Sequence, residues 1–108
     1  MTISQLMRDS LQIAKDHGWI DDGRTFGDHM ALIHSEVSEA LEEFRDGQPI
    51  RSGRIENGKP EGVPYELADI VIRVAQFAAE HNIDLEQAIV EKAAYNKTRE
   101  FRHGGKRI

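Results

Sequence analysis

The chain has 108 residues and a mass of 12.2 kDa, enough for one domain with a modest core and too little for two. A formal charge of -5 argues against binding a nucleic-acid polymer non-specifically, and with no cysteine there is neither a disulfide framework nor a thiolate zinc site, so any metal must be held by oxygen or imidazole. No apolar run approaches the roughly 20 residues that cross a bilayer and no secretory leader opens the chain, which sets the expectation of a soluble, cytoplasmic protein with no membrane partner.

Ile3, Leu6, Met7, Leu11 and Ala14 follow helical spacing and predict a first helix from about Ile3 to His17, stopped by Gly18. A second is expected from about Asp28 to Arg45, with Met30, Ile33, Val37, Ala40, Leu41 and Phe44 as its core stripe and Gly47 as its end. Residues 48–64 hold all three prolines and three glycines; so long a connection predicts a lid, an arm or a short inserted element. Pro64 suits the first turn of a third helix running to about His81. Asp84 and Gln87 resemble a capping box that opens a fourth, running to about Arg102. No segment alternates with strand period, so the predicted class is all-α, a four-helix bundle in one domain over residues 1–108.

The third helix is apolar over about two-thirds of its circumference, with Leu67, Ile70, Val71, Val74 and Ala78 in one sector and Ala68, Ile72, Ala75 and Ala79 in another. Such a helix must be covered on two sides. A chain with three other helices cannot do this alone, so a homodimer or homotetramer is expected, with Ile72, Ala75 and Ala79 near a subunit contact.

Two carboxylate pairs share one spacing: Glu36 with Glu39 on the second helix, and Glu66 with Asp69 on the third. Positions three apart are neighbours on a helix surface, so each pair points one way. Two such faces packed together would bring four negative charges into one place. At an effective dielectric near 20, a like pair 6 Å apart repels by roughly 3 kcal/mol, which calls for a hard divalent cation such as Mg²⁺. The bland alternative is two solvated helix faces, since glutamate is common there. On the fourth helix the face through Leu85, Ala88 and Ile89 continues as Lys92, Asn96 and Arg99. Charges on a packing face either neutralise the acidic helices or hold phosphate oxygens, for which the planar guanidinium is well shaped. Arg73 is expected to pair with Glu66 or Asp69.

The segments HSEVSEALEEFRDG, ELADIVIRVAQFA and DLEQAIVEKAAYNKTREFRHGGKR, spanning roughly residues 25 to 107 in order, resemble the MazG-like branch of the all-α nucleotide pyrophosphohydrolases, relatives of the dimeric dUTPases. The resemblance rests on ExxE (Glu36, Glu39), ExxD (Glu66, Asp69) and a late K-x-x-x-N (Lys92, Asn96). It implies a helical bundle completed by oligomerisation, and Mg²⁺-dependent hydrolysis of a nucleoside triphosphate to monophosphate and pyrophosphate, with Mn²⁺ as an alternative ion. It also implies that Glu36, Glu39, Glu66 and Asp69 are metal ligands. Within that chemistry Glu36 or Glu39 would accept the proton of the attacking water, with Glu43 one turn further along as an alternative, and Lys92, Asn96 and Arg99 would hold phosphates. Trp19 or Phe26 would stack on the base, against the plainer role of core or interface packing. His29 and His34 match no ligand position of the family and are read as structural. The HGGKR tail would close over phosphates or move freely.

Two rivals belong to other classes. One is a non-catalytic helical interaction module whose acidic face binds a basic partner. The other, a di-iron carboxylate bundle, wants Glu-x-x-His pairs, and neither acidic motif contains one.

Overall fold

The computed structural model describes residues 1–20 and 23–99. In chain order these form α1 (Ile3–Asp16), α2 (Phe26–Arg45), a hairpin of β1 (Arg54–Glu56) and β2 (Lys59–Glu61), α3 (Val63–Glu80) and α4 (Leu85–Lys97). The protein is mostly helical, with four helices and one small sheet among these residues. None of the helices is long and apolar enough to cross a membrane.

Local chemistry sets the helix ends. Thr2 caps α1, its hydroxyl accepting from the Gln5 N–H at 3.0 Å while the Gln5 amide oxygen accepts from the Thr2 N–H. Thr25 and Asp28 form the same reciprocal pair at α2, so Asp28 lies inside the first turn and the helix begins at Phe26. Pro64 falls in the first turn of α3, as its locked φ favours. At α4 the Asp84 carboxylate accepts from the Gln87 N–H at 3.0 Å, but the Gln87 amide bonds forward to Glu91, so only half of the box forms. The described helix stops at Lys97, with Thr98 as its C-cap, short of the expected Arg102. Residues 100–108, including the HGGKR tail, lie outside the described residues.

The purely α expectation is corrected by the hairpin. Its antiparallel register pairs Arg54 with Glu61, Ile55 with Pro60 and Glu56 with Lys59. The turn residues Asn57 and Gly58 both have positive φ, 53° and 79°, the conformation that gives a two-residue hairpin turn the twist of its strands. Gly53 and Gly62 let the hairpin base close against α3: a Cβ on Gly53 would overlap the Tyr65 ring and the Glu61 carbonyl, and Gly62 has φ 119°. Gly53→Ala is therefore expected to destabilise the protein by roughly 1–3 kcal/mol, measured as a lower midpoint in urea unfolding.

α3 is the central element, packed against α1 on one side and α2 on the other. Small side chains let α1 and α3 approach closely: Ser10, Ala14, Ala75 and Ala78 are all buried. Ala75 is only 1% exposed, so its own side chain is used inside the protomer. Ile72, 40% exposed, remains available.

The α2 stripe is corrected in part: Met30, Ile33 and Ala40 are half-buried as expected, but Val37, Leu41 and Phe44 are each more than half exposed, and the other half-buried positions are His29, Leu32, Glu36 and Glu43. The helix thus turns its mixed face, glutamates included, toward α3. α4 packs through its first turn onto α1, where Glu86 accepts from the Ser4 N–H at 3.2 Å, and residues 91–99 are exposed throughout.

Candidate functional site

α2 and α3 run antiparallel across the hairpin, so side chains pair along them in opposite order. Near the hairpin, Glu43 and Glu66 draw together with Glu61; in the middle, Glu36 meets Arg73; at the far end, His29 meets Phe77 and His81. This register brings both halves of the ExxE and ExxD pattern to one seam.

Glu36, Glu39 and Glu66 each offer a carboxylate oxygen, and these oxygens lie within 4.8 Å of one another. Glu43, Glu61 and Glu66 form a second such group. Glu66 belongs to both. It sits in the first turn of α3, where the helix dipole favours negative charge, yet it is 9% exposed and its Oε2 has no hydrogen-bond partner. Its carboxyl also stands within hydrogen-bond reach of that of Glu39, a contact two ionised carboxylates cannot satisfy. Burial, then Glu39, then the charges of Asp69 and Glu36 push the Glu66 carboxyl up to about 7. Asp69 is raised as well, by desolvation first and by Glu36 next, against the lowering pull of Lys59 and Arg73.

The cations nearby are already engaged. Arg73 Nε donates to Glu36 at 2.8 Å, so its partner is Glu36 rather than the expected Glu66 or Asp69. Arg54 ties the hairpin to α2 through Glu43 at 3.1 Å and also reaches Glu56 and Gln48. Lys59 pairs with Glu61 at 3.2 Å. Arg73, Arg54 and Lys59 thus neutralise charge around the seam, yet Glu66 remains buried, repelled and half-bonded. An orphaned buried carboxylate oxygen among oxygen-only donors fits a hard divalent cation.

Asp69 belongs to neither group but shares a cavity of about 340 Å³ with Glu36, Trp19, Arg24, Ile72, Arg73 and Gln76. Trp19 therefore shares a cavity wall with the Glu36 and Asp69 carboxylates, half exposed, with the His17 ring tilted beside it at 4.7 Å between centroids. Phe26 does not line this cavity; it packs edge-on against Phe77 at 5.7 Å. Lys92 and Asn96 are exposed on α4, which packs on α1, and Arg99 is exposed just past its C-cap, so a single protomer does not bring them to the carboxylate seam. Lys92 instead lies 5.5 Å from the centre of the Tyr95 ring.

Sequence reasoning missed Glu61, which reaches the seam only because the hairpin forms; Asn57-Gly58 was the signal for it. It also set aside His29, which stands beside Glu80 and His81. The chain matches no protein-family model, no curated protein and no solved structure.

Proposed function

We propose that the protein is a nucleoside triphosphate pyrophosphohydrolase that uses Mg²⁺, or Mn²⁺ in its place, to give the monophosphate and pyrophosphate in nucleotide-pool sanitation. The observation that carries this reading is the buried, unbonded Oε2 of Glu66 at the meeting point of two carboxylate groups, beside an open cavity walled by an indole. The resemblance of the ExxE and ExxD segments to the MazG-like enzymes supports it from the sequence side.

In this reading Glu36, Glu39 and Glu66 hold the metal, with Asp69 at the cavity rim. The bound ion would neutralise the triphosphate and polarise phosphorus. Arg73 holds Glu36 in place from α3 and limits the charge that the cation must offset. Glu39, exposed and in reach of Glu66, is the better situated of the two α2 carboxylates to take a proton from water, since Glu36 is committed to Arg73. Trp19 offers a stacking face for the base, with Arg24 on the same wall. Phosphate contacts from Lys92, Asn96 and Arg99 would come from a second copy, because α4 stands away from the seam of its own protomer.

A homodimer or homotetramer also has support in surface area. Among its described residues no large side chain is fully buried, and Val37, Leu41, Phe44, Leu67 and Val71 are each more than half exposed.

The direct test is pyrophosphate release from each nucleoside triphosphate in Mg²⁺. Release is expected for at least one, and excess chelator should stop it while circular dichroism keeps its helical signal. Hydrolysis that persists in chelator overturns the metal-dependent reading. An acidic module for a basic partner would instead show no turnover and metal-independent binding.

A further inference from the structure

We propose a second cation site, separate from the carboxylate seam, in which His29, Glu80 and His81 bind a borderline transition metal such as Zn²⁺. One ligand atom from each lies within 4.8 Å of the others. Two imidazoles and one carboxylate form a donor set quite unlike the oxygen-only seam, and imidazole nitrogen selects Zn²⁺ over Mg²⁺.

The three residues meet at one end of the antiparallel pair, where α2 begins and α3 stops. His29 lies in the first turns of α2, Glu80 is the last residue of α3, and His81 is its C-cap. Phe77 organises both rings: its centroid is 5.2 Å from that of His29 and 4.3 Å from that of His81, and Phe26 backs it edge-on. The imidazole centroids lie 6.3 Å apart at an interplanar angle of 78°, and a nitrogen of each comes within 4.8 Å of the other and of the Glu80 carboxylate. Gln76 Nε2 donates to the Glu80 carboxylate at 3.3 Å, steadying one oxygen and leaving the other for a ligand bond. Neither imidazole makes a hydrogen bond among the described residues.

All three line one cavity of about 650 Å³, together with Lys15, Trp19 and Asn82. A metal there would have protein on one side and open positions toward the cavity. Ligand atoms at a tetrahedral Zn²⁺ sit about 3.3 Å apart, given bonds near 2.0 Å; a small rotation of the solvent-exposed His81 side chain would close the remaining gap. The bound ion would tie the start of α2 to the end of α3.

The experiment uses the whole protein in excess Mg²⁺, which occupies oxygen sites but competes poorly for imidazole. Zn²⁺ is titrated against a chromophoric chelator, and Co²⁺ is titrated separately for its d–d absorption. One equivalent of Zn²⁺ is expected, with a Co²⁺ band stronger than an all-oxygen octahedral site gives, and a raised thermal midpoint. His81→Ala and His29→Ala should each weaken Zn²⁺ at least about tenfold, and Glu36→Gln should leave it unchanged. Equal Zn²⁺ affinity in wild type and His81→Ala, or no binding in Mg²⁺, overturns the site. Zn²⁺ lost in Glu36→Gln but kept in His81→Ala would place the ion at the seam, which refutes this site and leaves the Mg²⁺ reading intact.

Discussion

Glu66→Gln is expected to lower Mg²⁺-dependent turnover by at least about a hundredfold while making the metal-free protein more stable above neutral pH. Both effects come from one carboxylate that is buried, lacks a partner on Oε2 and is repelled by Glu39, Asp69 and Glu36. The amide keeps the shape, removes the charge and can donate to Glu39.

The sign follows from linkage. The folded carboxyl titrates at about 7 against an ordinary 4.5. Between those values the folded protein holds a proton that the unfolded chain has released, so metal-free wild type is most stable below the ordinary value and loses stability as pH rises through 7. The raised Asp69 carboxyl works in the same direction. In Glu66→Gln most of this slope should vanish, with a gain near pH 8 on the order of 5 °C, the equivalent of about 1 kcal/mol in a domain this small. Thermal melts in chelator from pH 5 to 8 measure it. Mg²⁺ should flatten the wild-type slope and leave the variant unmoved. A wild type whose metal-free stability rises toward pH 8 would contradict the crowding of charge at this seam.

Leu41→Asp should leave a folded, monomeric and inactive protein. Leu41 is 55% exposed in the protomer, between Val37 at 51% and Phe44 at 58%, while Leu67 and Val71 on α3 are exposed to a similar degree. So much apolar side chain left in water would associate, and a carboxylate placed in the resulting contact would meet a desolvation cost of several kcal/mol. The substitution touches no packed core, since the half-buried positions of α2 are His29, Met30, Leu32, Ile33, Glu36, Ala40 and Glu43. Light scattering should give an oligomer for wild type and about 12.2 kDa for the variant. A wild-type mass near that of one chain would refute the assembly. A monomeric Leu41→Asp that kept full turnover would show that Lys92, Asn96 and Arg99 are not needed from a second copy.

Local structure was legible in the sequence. Helical spacing, the Asp84 cap, Pro64 and the glycines located four helices to within a few residues, because these signals act through neighbouring backbone groups. The three-residue spacing of Glu36 with Glu39 and of Glu66 with Asp69 fixed which carboxylates share a helix face, for the same reason. Asn57-Gly58 carried the hairpin as well, and it went unread only because the flanking segments are too short to show strand alternation.

Which faces meet is a matter of long-range packing. Of the apolar stripe expected on α2, Met30, Ile33 and Ala40 are half-buried, but Val37, Leu41 and Phe44 stay exposed while Glu36 and Glu43 turn toward α3. Pattern reports that a face wants burial, not what buries it, and a surface intended for another copy reads the same as one intended for the core. The partner of Arg73, the arrival of Glu61 from the hairpin, the isolation of α4 from the seam and the meeting of His29 with Glu80 and His81 all depend on the antiparallel register of α2 and α3. That register is set by the sum of many weak contacts between residues far apart in the chain, so no short stretch of sequence contains it.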